Sequence, residues 1–97
     1  MNIKIIKMDY GFILRLSEQD TIGSVELIKN GDIIYIENIY LNTNYRCKGY
    51  LRKIINFLRP FGKLTCLPLP EHIEKFKHLG FKEYKKEGED IYYSLED

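Results

Sequence analysis

The chain has 97 residues, of which 44% are hydrophobic and 30% charged, with a formal net charge of +1. This composition is typical of a globular domain, excludes a disordered chain, and predicts one domain spanning residues 1–97. No apolar run approaches the roughly 20 residues of a membrane-spanning helix. The N-terminus lacks the apolar core of a signal peptide, and two cysteines are too few for a disulfide scaffold. We therefore expect a cytoplasmic protein with no membrane partner.

The first half of the chain predicts four strands, because its apolar residues alternate or run together between short polar turns. The predicted strands are Ile3–Lys7, Phe12–Leu16, Ile22–Ile28 and Ile33–Leu41. The Asn30-Gly31 pair favours a tight hairpin between the last two, so the strands form an antiparallel meander. Since the fourth strand is apolar on both faces except at Glu37 and Asn38, we expect a central strand covered on both sides.

The second half begins with an amphipathic helix that ends near Arg59, before Pro60. Its apolar stripe recurs at i, i+3, i+4 and i+7 and consists of Leu51, Ile54, Ile55 and Leu58. Leu64–Leu67 is then predicted to be a buried strand, with Cys66 packed inside it. Because a helix separates this strand from the fourth one, we expect the two to be parallel.

A second helix is predicted to start at Pro70 and to end at Gly80, with Ile73, Phe76 and Leu79 as its apolar stripe. Phe81–Lys85 and Ile91–Leu95 then form a hairpin. The order is β-β-β-β-α-β-α-β-β. This predicts an α/β fold of the α+β kind, with a mixed, mainly antiparallel sheet and two helices.

A basic turn joins the fourth strand to the first helix and has the sequence Tyr45-Arg46-Cys47-Lys48-Gly49-Tyr50-Leu51. Free N–H groups at a helix N-terminus, together with the helix dipole, form a site that suits a phosphate. Residues 38–70 contain no Asp or Glu but six Lys or Arg. The simplest interpretation of these cations is a solvated helix face, and the alternative is a local polyanion site centred on the turn.

The turn and the end of the second helix resemble motifs of the GNAT N-acetyltransferase superfamily. Arg46-Cys47-Lys48-Gly49-Tyr50-Leu51 is similar to that family's Arg/Gln-x-x-Gly-x-Gly/Ala motif, which holds the pyrophosphate of coenzyme A. Phe76-Lys77-His78-Leu79-Gly80-Phe81 is similar to its Tyr-x-x-Leu-Gly-Phe pattern. The resemblance covers roughly residues 12–95 and implies the GNAT fold.

The resemblance also implies the activity, which is transfer of an acetyl group from acetyl-coenzyme A to an amine, with an amine on a protein as one option. No metal is implied. The cofactor-binding residues that it implies are Ile39, Tyr40, Leu41, Arg46, Cys47, Lys48, Gly49, Tyr50, Leu51 and Arg52. Glu37 is the candidate general base, and its alternative role is that of a hydrogen-bonded or surface residue at a strand edge.

The chain departs from the family pattern at three places. Leu51 replaces a small residue, which predicts weaker binding of the pyrophosphate. Phe76 replaces a tyrosine that protonates the departing thiolate, and a phenyl ring has no proton to donate, so water or Tyr84 becomes the candidate acid. Too few residues separate the first two strands for the two helices that the family has there. The acceptor side is therefore expected to be open, which suits a macromolecular substrate or a partner chain.

Other interpretations stay open. Cys47 lies beside two cations, so a reactive thiol is an alternative to a loop residue that contributes its backbone amide. His72 and His78 lie six residues apart, which does not fit a metal site on one helix face. The alternative functions are a non-catalytic GNAT-like module that binds coenzyme A or a macromolecule and, more weakly, a small nucleic-acid-binding domain. Exposed strand edges allow a homodimer.

Overall fold

The computed structural model describes residues 1–95, and the predicted order of strands and helices is confirmed. The strands are β1 (Asn2–Met8), β2 (Gly11–Ser17), β3 (Thr21–Asn30), β4 (Ile33–Leu41), β5 (Lys63–Cys66), β6 (Lys82–Glu87) and β7 (Asp90–Leu95). The helices are α1 (Tyr50–Leu58) and α2 (Ile73–His78). Short 3-10 turns lie at Thr43–Tyr45, Arg59–Phe61 and Pro70–His72.

The strands form one mixed sheet in the order β1-β2-β3-β4-β5-β7-β6. Neighbouring strands are antiparallel except β4 and β5, which are parallel as predicted. The connection between these two strands is α1, since parallel neighbours require a crossover. The sheet is therefore an antiparallel meander joined to a shorter C-terminal half through one parallel pair.

Both helices pack on one face of the sheet, which we call the helix face. Their buried residues Ile54, Ile55, Leu58 and Phe76 belong to a single apolar cluster with one side of the strands. Apart from Ile22 of β3, which has no partner in β2, the strand residues of this cluster are Leu14, Leu16, Val25, Leu27, Ile34, Ile36, Leu64, Cys66, Tyr93 and Leu95. The pairing register places all of them on the same side of the sheet.

The opposite side, which we call the open face, corrects one prediction. The fourth strand was expected to be covered on both sides, but within residues 1–95 no helix packs on its second side. Ile33 and Tyr40 on that side keep 44% and 50% of their surface exposed. Tyr35, between them, is half-buried beside Tyr92, with ring centroids 6.3 Å apart. A continuous apolar run was mistaken for burial on both sides because Ile and Tyr also favour exposed strand positions.

Two local predictions also change. The β3–β4 hairpin forms, but its two central residues are Gly31 and Asp32, because Asn30 pairs with Ile33. Gly31 supplies the positive φ of 61° that the turn requires. Pro70 starts a 3-10 turn, and the α-helix itself begins three residues later at Ile73.

The end of α2 follows the prediction for Gly80, whose φ is 101°. The N–H of Gly80 donates to the carbonyl of Lys77, and the N–H of Phe81 donates to the carbonyl of Phe76. These two bonds define a Schellman motif, which satisfies carbonyl groups that the helix leaves unpaired. The motif turns Phe81 into the core, where it is 2% exposed and packs edge-to-face on Phe76 at 5.1 Å.

We predict that Gly23→Ala destabilises the fold through the pairing of β3 with the end of β4. A Cβ atom at Gly23 would lie 1.9 Å from the carbonyl oxygen of Tyr40, which is a backbone atom and has little room to move. We expect the free energy of unfolding to fall by roughly 3 kcal/mol, the upper end of the usual cost of overpacking. Chemical denaturation measures it, with Ser24→Ala on the open face as the control. Equal midpoints for the two variants would contradict this close approach of β3 and β4.

Candidate functional site

The parallel pair β4–β5 is incomplete, and the gap creates a cleft. Ile33–Ile36 pair with Lys63–Cys66, and within the described chain residues 37–41 have no partner in β5. The two strands separate at a β-bulge. Ile36 is opposite Leu27 and Asn38 is opposite Glu26, so Glu37 is the extra residue. Bulges bend a strand and raise its twist, which accounts for the divergence of β4 from β5 at this point.

The cleft has a volume of about 430 Å³. Its walls are the end of β4, the basic turn, the first turn of α1 and one side of α2. The lining residues are Ile39, Tyr40, Leu41, Arg46, Cys47, Gly49, Tyr50, Leu51, His72, Lys75 and Phe76. This volume lies within the range of roughly 300–1,000 Å³ that is usual for pockets that hold a small molecule or cofactor.

The turn between β4 and α1 is anchored to β3 and shaped by two left-handed residues. The backbone N–H of Asn42 donates to the carbonyl of Ile22 at 2.7 Å, and its side-chain amide donates to the carbonyl of Thr21. Cys47 and Gly49 then have φ values of 59° and 82°. A left-handed residue immediately before Tyr50 redirects the chain, so that α1 begins at the cleft.

The N-terminus of α1 offers hydrogen-bond donors to the cleft. The first i to i−4 bond runs from the N–H of Lys53 to the carbonyl of Gly49, so the N–H groups of residues 50–52 precede it. Among residues 1–95 no side chain caps this end, and its first turn contains no acid. Unpaired donors at the positive end of a helix dipole suit an anion.

Cations reach the cleft from two elements. Arg46 donates from Nε to the carbonyl of Leu41 at 2.8 Å, and its guanidinium lies 5.9 Å from the centroid of the Tyr40 ring. These contacts hold the guanidinium against the end of β4 and leave its terminal nitrogens for other partners. Lys75 lines the cleft from α2, and the His72 side chain lines it from the 3-10 turn that precedes α2. The cleft therefore combines an apolar strand with cations on both sides.

Tyr50 fixes the first turn of α1. Its hydroxyl donates to Oε1 of Glu18 at 3.0 Å, and its ring packs edge-to-face on Tyr45, with centroids 5.5 Å apart. The hydrogen bond to Glu18 raises the pKa of Tyr50, because removing the phenolic proton would place two negative charges together. The contact joins the cleft to the turn between β2 and β3, far away in sequence.

The structure gathers eight of the ten predicted cofactor-binding residues around the cleft. Lys48 and Arg52 are exposed and are not among the described residues that line it. Sequence reasoning did not assign His72 and Lys75 to this site. Sequence spacing offered a signal for His72 only. It precedes Phe76 by four residues, so the two share a face of the predicted second helix. Lys75 is next to Phe76 in sequence, and only the fold shows that it borders the cleft.

The candidate catalytic residues lie in different places. Glu37 is exposed at the bulge where β4 leaves β5. Tyr84 is on β6, three strands from β4 in the sheet order, or about 14 Å at the usual strand spacing. Its ring is 4.5 Å from Nζ of Lys63. Phe76 lines the cleft with a ring that is 9% exposed, and this ring has no proton to donate.

The two cysteines differ in environment. Cys47 is exposed and borders the cleft, whereas Cys66 is buried in β5 as predicted. Burial raises the pKa of the Cys66 thiol to about 12, since a thiolate loses its hydration there. Residues 1–95 contain no cluster of three His, Cys, Asp or Glu side chains that would hold a metal ion. No helix in the same range is long and apolar enough to cross a membrane.

Known structures resemble this fold closely. YlbP, an N-acetyltransferase of Bacillus subtilis solved with coenzyme A, superposes with a TM-score of 0.76 and 15% identity over 88% of this chain and 67% of its own. A putative streptothricin acetyltransferase of Bacillus anthracis, solved with acetyl coenzyme A, gives 0.74 and 19% over 95% and 65%. The ribosomal-protein-S18-alanine N-acetyltransferase of Escherichia coli gives 0.67 and 16% over 92% and 70%.

No family model matches the sequence, and no curated protein matches it either. At 13–19% identity the structural similarity identifies the fold, which is that of the GNAT acetyltransferases. The chain spans between 60% and 70% of the length of these structures.

We predict that the two thiols react at very different rates with a thiol-specific reagent such as a disulfide dye. Cys47 is exposed and reacts in the native state. Cys66, with its pKa raised to about 12, stays protonated at pH 8 and unreactive until the protein unfolds. Counting the thiols modified before and after addition of denaturant measures this, and Cys47→Ser removes the fast phase. Two fast thiols in the native protein would contradict the burial of Cys66.

Proposed function

We propose that this chain, which has the GNAT fold, binds acetyl-coenzyme A in the cleft between β4 and α1 and transfers the acetyl group to an amine. The observation that carries the proposal is the juxtaposition of unpaired strand backbone with an uncapped helix N-terminus. The cleft where β4 leaves β5 presents residues 39–41 on one side and the N–H groups of residues 50–52 on the other. A pantetheine amide arm and a pyrophosphate require these two kinds of partner, side by side.

Each part of the ligand has a matching part of the cleft. The pyrophosphate accepts hydrogen bonds from the first turn of α1, and Arg46 and Lys75 supply charge. Lys48 and Arg52, which are exposed, contribute positive charge at longer range. The pantetheine arm pairs with the backbone of Ile39 and the N–H of Leu41 in place of a neighbouring strand, because the carbonyl of Tyr40 faces β3 and that of Leu41 accepts from Arg46. The Cβ position of Gly49 has no atom within 4 Å, so this side of the turn is open for a ligand.

The reaction requires no nucleophilic side chain. The acceptor nitrogen attacks the thioester carbonyl carbon, the C–S bond breaks, and the acetyl group is left on nitrogen with coenzyme A as thiolate. A backbone N–H of β4 beyond the bulge polarises the carbonyl oxygen. Glu37 takes the proton from the amine, directly or through one water. Water protonates the departing thiolate, because neither candidate side chain can do so. Phe76 lines the cleft but has no proton to donate, and Tyr84 lies three strands away from β4.

The acceptor that we propose is an amine on a macromolecule. The turn between β1 and β2 contains only Asp9 and Tyr10, and within the described residues no helix packs on the open face. A small acceptor would be enclosed by few residues on the open face, whereas a protein or peptide acceptor would supply contact surface of its own. Two free cysteines suit the reducing cytoplasm, where we place the protein.

The second candidate function is a module that binds coenzyme A or a partner without turnover. Phe76 favours it, since the ring that borders the cleft has no proton for a leaving thiolate. The uncovered acceptor side favours it as well. Binding of the cofactor is common to both candidates, and turnover separates them.

The first experiment is calorimetric titration of acetyl-coenzyme A into the wild type and the Arg46→Ala/Lys75→Ala variant. Removing two cations from the cleft is expected to weaken binding by about tenfold or more. The matched control is Lys4→Ala/Arg15→Ala, which removes two exposed cations paired across β1 and β2. Absence of heat and of thermal stabilisation at millimolar ligand would overturn the proposal. If both double variants bound acetyl-coenzyme A equally weakly, the loss of affinity would come from the change in overall charge and not from the cleft.

The second experiment tests Glu37 as the base. With peptides bearing free α-amines or lysines as acceptors, we expect Glu37→Gln to lower kcat by roughly 10²–10⁴-fold, with binding of acetyl-coenzyme A unchanged. Glu26→Gln is the control, because Glu26 is exposed and pairs with Asn38 beside the bulge. Release of the coenzyme A thiol measures the rate. Unchanged kcat would exclude Glu37 as the base, and binding without turnover on any acceptor would favour the non-catalytic module.

A further inference from the structure

The last strand of the sheet, β6, has an unpaired edge. It pairs with β7 on one side and is the final strand in the sheet order. All six of its residues, Lys82-Glu83-Tyr84-Lys85-Lys86-Glu87, are exposed. An edge strand carries a row of free backbone N–H and C=O groups, which is a template for pairing with another strand.

The charges of β6 are complementary to those of its own copy in the antiparallel direction. A twofold axis between Tyr84 and Lys85 places Lys82 opposite Glu87 of a second copy and Glu83 opposite its Lys86. It also places Tyr84 opposite Lys85 of the second copy, which is a cation–π pair. Each of the six cross-strand positions then carries an attractive pair, and the twofold symmetry makes each of the three kinds of pair occur twice.

A bulge in β6 makes this register geometrically consistent. In a regular strand, residues an odd number of positions apart point to opposite faces of the sheet, so an axis between two residues would pair side chains of opposite faces. In β6 the register shifts between Glu83 and Lys85, and Tyr84 is the extra residue. Tyr84 lies on the open face, because its ring is beside Lys63, which pairs with Ile33 of that face.

Every pair then lies on a single face of the sheet. Lys82, Lys85 and Glu87 pair with Ser94, Tyr92 and Asp90 of β7 on the open face, like Tyr84. Glu83 and Lys86 pair with Tyr93 and Ile91 on the helix face. The sequence of faces along β6 is therefore symmetric about the proposed axis, as is the pattern of attractive charges.

We propose that β6 is a homodimerisation edge, at which two copies of this chain pair β6 to β6 in antiparallel orientation with Tyr84 opposite Lys85. Neighbouring registers are disfavoured. A shift of one residue in one direction places Lys82 opposite Lys86, which offsets the attraction between Glu83 and Lys85, and it pairs residues of opposite faces. A shift in the other direction places Glu83 opposite Glu87 and Lys85 opposite Lys85 of the second copy. Within residues 1–95, Lys82, Glu83 and Lys86 have no ion pair with their own chain, so their charges are available. Lys85 and Glu87 form an ion pair with each other at 2.9 Å, and Lys85 lies 5.1 Å from the centroid of the Tyr92 ring, so at these two positions the contacts to a second copy are shared with contacts in the chain itself. Lysines at an edge usually prevent pairing with other strands, and the intervening glutamates make self-pairing the exception.

The interface is small. Six residues per copy bury less than the roughly 1,200 Å² of a standard stable interface, so the dimer forms at high protein concentration and weakens with salt. Pairing would join the two sheets into one sheet of fourteen strands, since each copy contributes seven. The proposal is independent of the cofactor, because β6 is three strands away from β4.

The test is sedimentation velocity over a wide concentration range with charge-reversed chains. Glu83→Lys leaves lysines at both 83 and 86, and Lys86→Glu leaves glutamates at both. Each single variant is expected to dimerise at least about tenfold more weakly than the wild type. Mixing the two variants restores attraction at both positions, so the mixture is expected to form heterodimers. The double variant Glu83→Lys/Lys86→Glu is likewise expected to dimerise as the wild type does.

Circular dichroism and thermal unfolding of each variant establish that the exposed substitutions leave the fold intact. Amide hydrogen exchange provides a second measurement, with protection in β6 expected to rise with protein concentration. A wild type that stays monomeric at millimolar concentration would overturn the proposal. It would also be overturned by single variants that dimerise as the wild type does, or by a double variant that stays monomeric, because either result places the contact at another surface or register.

Discussion

The structure depends on a core that lies on only one side of the sheet. Both helices pack their apolar stripes against the helix face, and the buried strand residues of the cluster come from β2, β3, β4, β5 and β7. In a chain of 97 residues the surface available for burial is limited, and one layer of helices on one layer of sheet is the smallest arrangement that encloses a core. For the same reason, among residues 1–95 no helix covers the open face and no strand pairs with the outer edge of β6.

The one-sided core also determines where chemistry can take place. Since α1 and α2 both pack on the helix face, the start of α1 and one side of α2 border the same cleft beside the end of β4. The bulge at Glu37 then separates β4 from β5, so that strand backbone faces the cleft instead of a neighbouring strand. A cofactor that needs strand pairing and phosphate binding together fits this arrangement. Most of the binding groups of the proposed site are backbone atoms, so such a site depends little on side-chain identity, which is only 13–19% to the structural neighbours.

The open face and the β6 edge give the molecule two surfaces toward larger partners. Tyr35, Tyr84 and Tyr92 lie on the open face, with Lys63 and Lys85 against two of the rings. A macromolecular acceptor would approach from this side of the sheet, while self-pairing at β6 would extend the same surface onto a second copy. The charged edge restricts which strands can pair there, since an unrelated strand rarely reproduces its alternation of lysine and glutamate.

Local patterns were enough to predict much of this protein. The order of nine elements, the apolar stripe of α1, the parallel β4–β5 pair, the cap at Gly80 and the turn that holds Arg46 and Gly49 all follow from periodicity and turn chemistry within short windows. Eight residues of the cleft were named in advance from the resemblance to the GNAT motifs, which lie on one short stretch between a strand end and a helix start. Only the tertiary structure decided which strand face is bare, where β4 leaves β5, and that His72 and Lys75 border the same cleft as the basic turn. Those features depend on strand register and helix packing between distant segments, and a pattern read along the chain carries no information about which distant segment will be its neighbour.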